Sequence, residues 1–157
     1  MLKGYWPKII ANDGDTNFLM EEFEATDMSI YDFVHGSCAY FAYALAEKFD
    51  YDITLVKLYN SYEGRMELCH VYCHTKVNSI DYYIDARGIT SNEQQVMDEF
   101  DVDLNKDERN GFIEIWNYSK DGLIKDGYIS KDSPITNDIL SNARIFIETN
   151  IDYYALQ

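Results

Sequence analysis

A chain of 157 residues, 46% of them hydrophobic, suits one domain over 1–157 that buries a core of its own. Its 28 acidic residues against 13 basic leave a formal charge of −15, which repels phosphate backbones and excludes ordinary direct binding of nucleic acid. No apolar run of about 18 residues and no signal-peptide pattern occurs, and the three cysteines, odd in number, read as free thiols; the expectation is a cytoplasmic protein with no membrane partner.

In chain order, the first segment with a possible chemistry is "DGDTNFLMEEFE", Asp13 to Glu24. It ends on an acid at the last place of a calcium loop, but Phe18 occupies the glycine position, so it is set aside. From Cys38 to Phe49 the residues Cys38, Ala42, Leu45 and Phe49 fall on one helical stripe, with Glu47 and Lys48 away from it. Then come "ITLVKLY" (53–59), "MELCHVYCHT" (66–75) and "DYYIDARG" (81–88), rich in β-branched and aromatic residues and short enough for strands. A second helix is expected from Glu93 to Phe100 behind Ser91. The acidic "DVDLNKDE", Asp101 to Glu108, lacks the glycine and final glutamate of a calcium loop and reads as a solvated loop. A strand alternating from Phe112 follows, then a helix after Thr136 carrying Ile139, Leu140, Ala143 and Ile147. Helices around a mostly antiparallel sheet make an α+β domain.

"LCHVYCHT" holds Cys69, His70, Cys73 and His74, ligand types that suit zinc. Side chains alternate across a strand, so the histidines face one way and the cysteines the other; only a helix would gather all four. The metal reading is therefore rejected, and no cofactor is expected. The same alternation points to the next strand. With "KVNS", Lys76 to Ser79, as the turn, His70 falls opposite Asp85 and His74 opposite Asp81, both on one face.

Cys38 follows a glycine and a serine at the expected start of a helix, where unpaired N–H groups and the dipole lower a thiol's pKa. An imidazole at His70, oriented by the Asp85 carboxylate, would accept the thiol proton. The N–H of Cys38 is one oxyanion donor; Tyr31, His35 or another backbone amide are candidates for the second. Cysteine is also a common buried filler, and this one shares its stripe with Ala42 and Leu45.

"GSCAYFAYAL", "HVYC" and "YYIDARG", about a third of the chain, resemble the core of the transglutaminase-like and papain-like cysteine enzymes. The order agrees, and so does the spacing of 15 residues from His70 to Asp85; the family commonly has proline after the aspartate, where this chain has Ala86. The resemblance implies a Cys-bearing core helix packed on an antiparallel sheet, with Cys38 as nucleophile, His70 as base and Asp85 as orienting residue. It implies hydrolysis, deamidation or acyl transfer on a protein, peptide or small amide through a Cys38 thioester. The rival expectation, from charge alone, is a non-catalytic acidic inhibitor, of the phage-encoded kind that imitates nucleic acid for a basic protein partner.

Overall fold

In a computed structural model of the chain, residues 4–7, 28–130 and 132–156 are described; the calcium-like segment Asp13 to Glu24 lies outside them. The first helix among the described residues, α1 (Ile30–Val34), is held by its cap. The Ser29 hydroxyl accepts from the Asp32 N–H, and the Asp32 carboxylate accepts the Ser29 N–H at 2.8 Å. Gly36, at φ +139°, turns the chain into α2 (Cys38–Phe49), which ends on Asp50 in the left-handed region.

Four strands follow as hairpins: β1 (Asp52–Asn60), β2 (Arg65–Val77), β3 (Ile80–Asp85) and β4 (Gly88–Thr90). After them come α3 (Glu93–Asp98), α4 (Leu104–Arg109), β5 (Ile113–Tyr118), α5 (Lys120–Lys125) and α6 (Pro134–Thr149), with a last turn of 3-10 helix at Ile151–Tyr153. The sheet has five strands in the order β4-β3-β2-β1-β5, and every neighbouring pair is antiparallel. The protein is thus α+β. No helix among the described residues is long and apolar enough to cross a membrane.

Alternation gives the sheet two apolar faces. One carries Ile53, Leu55, Val71, Cys73 and Ile84 and packs on α2, whose other side meets α6 through Phe41, Phe146 and Ala143. The opposite face carries Val56, Tyr72 and Ile113, covered by Val96 and Met97 of α3 together with Val102 and Leu104. The β1–β2 ladder breaks its own rhythm once. Val56 pairs with His70 and Lys57 with Leu68, so Cys69 is an extra, unpaired residue: a β-bulge. It sends Cys69 to the second cluster, correcting the expectation that both cysteines share a face, since Cys73 lies in the first.

The β2–β3 register also differs from the expected one. The turn is only Asn78 and Ser79, both at positive φ (52° and 67°), and Val77 pairs with Ile80. His74 therefore lies opposite Tyr83 rather than Asp81, and the ladder has slipped by two residues. A slip of two preserves the faces, so His70 and Asp85 still share a side, now diagonally. The expected strand 81–88 is broken after Asp85, where the Asp85–Gly88 pair closes a hairpin around Ala86 and Arg87. The second helix stops at Asp98 and is capped by Asn92, not Ser91. The segment expected to be a solvated loop forms α4, because the Asp103 carboxylate caps it by accepting the Lys106 N–H at 3.0 Å. The last helix begins earlier than expected, at Pro134 behind Ser133.

Candidate active site

Cys38 occupies the first position of α2 and is 6% exposed. The N–H groups of Val71, Ala39 and Cys38 itself face its sulfur and favour a thiolate, but removal from water outweighs them and burial pushes the thiol up to about 11. This corrects the expected lowering. The apolar stripe that places Cys38 on the sheet buries the sulfur, and burial acts against charge more strongly than the helix start favours it.

His70, on β2, is completely buried, with its ring 5.0 Å from Phe100 and 5.9 Å from Tyr72. Its Nε2 lies 2.9 Å from Asp85 Oδ2. An ionised carboxylate only accepts, so Nε2 carries the proton and Nδ1 presents a lone pair. That Nδ1 is buried and has no hydrogen-bond partner. Burial holds the imidazole below its ordinary pKa although Asp85 pulls the other way, so the ring is neutral at neutral pH.

Asp85 ends β3 and is surrounded by donors. The Tyr5 hydroxyl donates to Oδ2 at 3.0 Å, the Arg87 N–H to Oδ1 at 2.9 Å, and the Arg87 guanidinium to Oδ2 at 2.6 Å. Burial opposes its charge, yet Arg87 and His70 hold the carboxyl well below the usual range. Arg87 itself is fully buried and donates on to the carbonyls of Pro7 at 2.9 Å and Val96 at 2.7 Å. The N-terminal strip reaches this site through a bridge between Tyr5 and Gly88. Gly88, at φ +120°, has no room for a side chain: a Cβ there would stand 2.4 Å from the Gly4 carbonyl oxygen.

The structure thus joins His70 to Asp85 directly, and brings Cys38 to β2 through the amide of Val71, the residue after His70. The sulfur belongs to the α2-side cluster while the His70 ring lies with Tyr72 across the sheet, and no hydrogen bond joins the sulfur to Nδ1 at rest. Of the candidates for a second oxyanion donor, His35 has Nε2 3.0 Å from Glu99 Oε1 and stacks on Tyr31 at 4.7 Å. Phe100 stands between the His35 and His70 rings, 5.5 and 5.0 Å from each. His74 and Asp81 make a separate, partly exposed pair at 2.8 Å, with His74 stacked on Tyr83.

Cys73 donates to the Ala42 carbonyl at 3.3 Å inside the core, and Cys69, half-buried, is pushed up to about 11 by burial with Cys38 nearby. Among the described residues no cluster of histidines, cysteines and acids is arranged to hold a metal ion. Sequence reasoning missed Arg87 and Tyr5. Arg87 is two residues from Asp85 in a strand-like run, a spacing that puts two side chains on one side; no local pattern points to Tyr5. No protein-family model, curated protein or solved structure matches the chain.

Proposed function

We propose that the chain is a cysteine-dependent hydrolase or acyltransferase of the transglutaminase-like and papain-like kind, with Cys38 as nucleophile, His70 as base and Asp85 as orienting residue. The observation that carries this reading is the fully buried His70, tied to Asp85 through Nε2 and unpaired at Nδ1. An unsatisfied buried polar atom costs about 1–3 kcal/mol, which a purely structural core avoids with an apolar side chain or a partner. A general base needs that lone pair free until the reaction.

The chemistry starts from the neutral thiol. As Cys38 Sγ attacks the carbonyl carbon of an amide, ester or thioester, its proton passes to His70 Nδ1, and Asp85 stabilises the imidazolium through Nε2–H. The Cys38 N–H donates to the developing oxyanion. Collapse transfers the Nδ1 proton to the departing amine, alcohol or thiol and leaves a Cys38 thioester. Water or an amine, deprotonated by Nδ1, then releases the acyl group and restores the thiol. No hydrogen bond joins the sulfur to Nδ1 at rest, so this proton transfer requires a rearrangement that brings the two together from opposite sides of the sheet.

Acetylation by p-nitrophenyl acetate, with the acetyl group located by peptide mass spectrometry, tests this. Cys38 is acylated ahead of Cys69 and Cys73, and His70→Gln slows it by about 100-fold, the lower range for a general base. Acetylation spread equally over the three thiols, or indifferent to His70→Gln in a folded variant, would overturn the assignment.

A second reading draws on Asp98, Asp101 and Asp103, which with Gln94 and Val102 line an open groove of about 460 Å³. This acidic surface suits a basic protein partner. On that reading, Cys38→Ala leaves function intact while Asp98→Asn with Asp103→Asn removes it.

A further inference from the structure

Resting on the assignment of His70 as base, we infer that Arg87 is a positioning residue that supplies the countercharge to Asp85, so that the resting site is a thiol beside a neutral imidazole and not a thiolate–imidazolium pair. Asp85 carries one negative charge, and Arg87 meets it from the same hairpin through its backbone N–H, Nε and a terminal amino group. Two further guanidinium N–H groups donate to the carbonyls of Pro7 and Val96, and its Cζ lies 5.1 Å from the centre of the Tyr5 ring.

With Asp85 and Arg87 neutral as a pair, a proton added to His70 would be an unmatched cation in a fully buried position. The Arg87 amino group, 3.5 Å from Nε2, opposes it directly. Among the described residues the other groups around the ring already have partners, and the buried Glu99 carboxylate also acts on Arg87. From β2, the Tyr72 hydroxyl donates to Glu93 of α3 at 3.0 Å; from the α1–α2 link, His35 pairs with Glu99; from the N-terminal strip, Tyr5 donates to Asp85; and from α2, Cys38 is held as a thiol. Burial lowers the proton affinity of His70 first, and Arg87 lowers it further against the pull of Asp85.

The consequence is a site that creates its charge only during attack. The His70–Asp85 contact fixes the tautomer, and the Arg87–Asp85 contact prevents premature protonation of the ring.

Long-range ¹H–¹⁵N spectra of the imidazole rings, followed from pH 5 to 8, read this without a substrate. The wild-type His70 stays neutral with its proton on Nε2 at pH 7, and its midpoint lies below that of an ordinary histidine. Arg87→Gln raises the midpoint by at least about one pH unit, because Asp85 then draws its countercharge from His70. Arg87→Lys, which keeps the charge, and Tyr5→Phe, which keeps Arg87, both leave the ring neutral at pH 7.

A protonated His70 at pH 7 in the wild type, or a midpoint unchanged by Arg87→Gln, overturns the inference. If Arg87→Gln does not fold in buffer, its midpoint is read in sucrose beside that of Arg87→Lys: a midpoint raised in Arg87→Gln alone supports the inference, and a ring protonated at pH 7 in the wild type or in Arg87→Lys overturns it. The outcome separates from that of the enzymatic reading. Failure of Cys38 acetylation defeats that reading while the ring's charge is still measured, whereas acetylation of Cys38 alongside a protonated His70 defeats only the role given to Arg87.

Discussion

Asp85→Asn is the sharpest perturbation of the buried network, because it keeps the shape of the side chain and removes its charge. The carboxylate receives five donors: the Tyr5 hydroxyl, His70 Nε2–H, and the N–H, Nε and terminal amino group of Arg87. A carboxamide has one accepting oxygen. Whichever way it turns, its NH₂ meets the guanidinium or the His70–Tyr5 side, and a 0% exposed cation loses its counter-ion. Removing one partner of a buried ion pair costs about 3–5 kcal/mol, a large part of the roughly 5–15 kcal/mol that holds a domain folded.

In urea unfolding at pH 7, with a slope of about 2 kcal/mol/M, the midpoint falls by about 2 M. Arg87→Met is costly for the same reason in reverse, since it strands the carboxylate. The double variant Asp85→Asn with Arg87→Met loses less than the sum of the two, as expected of directly coupled groups. A loss below about 1 kcal/mol for Asp85→Asn would refute the reasoning, since exposed pairs are worth that little.

Two further outcomes follow from the same contacts. His70 binds its proton less readily folded than unfolded, so its contribution is complete above the unfolded value near pH 6.5 and is lost as pH falls below it, by up to about 1.4 kcal/mol per pH unit. Asp85, also depressed, adds a further loss only below about pH 4. Urea midpoints between pH 4.5 and 7.5 therefore decline toward acid in the wild type and less so in His70→Gln; equal slopes would contradict a neutral His70. Gly88→Ala drives its Cβ into the Gly4 carbonyl at an unfavourable φ, at a cost of about 2–3 kcal/mol. It displaces the strip, so amide exchange at Trp6, whose N–H meets the Arg87 carbonyl at 3.4 Å, accelerates; an unchanged rate would mean that the close approach does not exist.

Periodicity carried most of the architecture. The stripe of Cys38, Ala42 and Leu45 located α2, and runs of β-branched and aromatic residues located β1, β2, β3 and β5. Pairing of His70 with Asp85 was legible despite the wrong turn, since strand faces repeat every second residue and the error was even. The turn was misplaced because Ser79, which adopts a positive φ, gives no sign of it, whereas glycine in that place would have. Helix α4 was missed because Leu104 is its only buried residue, so no stripe appears. Helix α1, five residues long, is too short to show a period.

At Cys38 two opposing influences were both visible, the helix start and the apolar stripe, and their relative strength was decided by packing against the sheet. Arg87 was within reach of a strand-face argument. Tyr5 was not, because its meeting with Asp85 across 80 residues is a product of tertiary closure.

That closure also orders events in time. Joining ends 80 residues apart sacrifices about 4 kcal/mol of chain freedom, set against two strands that find each other across a two-residue bend. The hairpins therefore zip early, and the Tyr5 strip docks afterwards, once there is a carboxylate to dock on. Run backwards, the same order lets this strip lift before the sheet itself loosens, uncovering the anion.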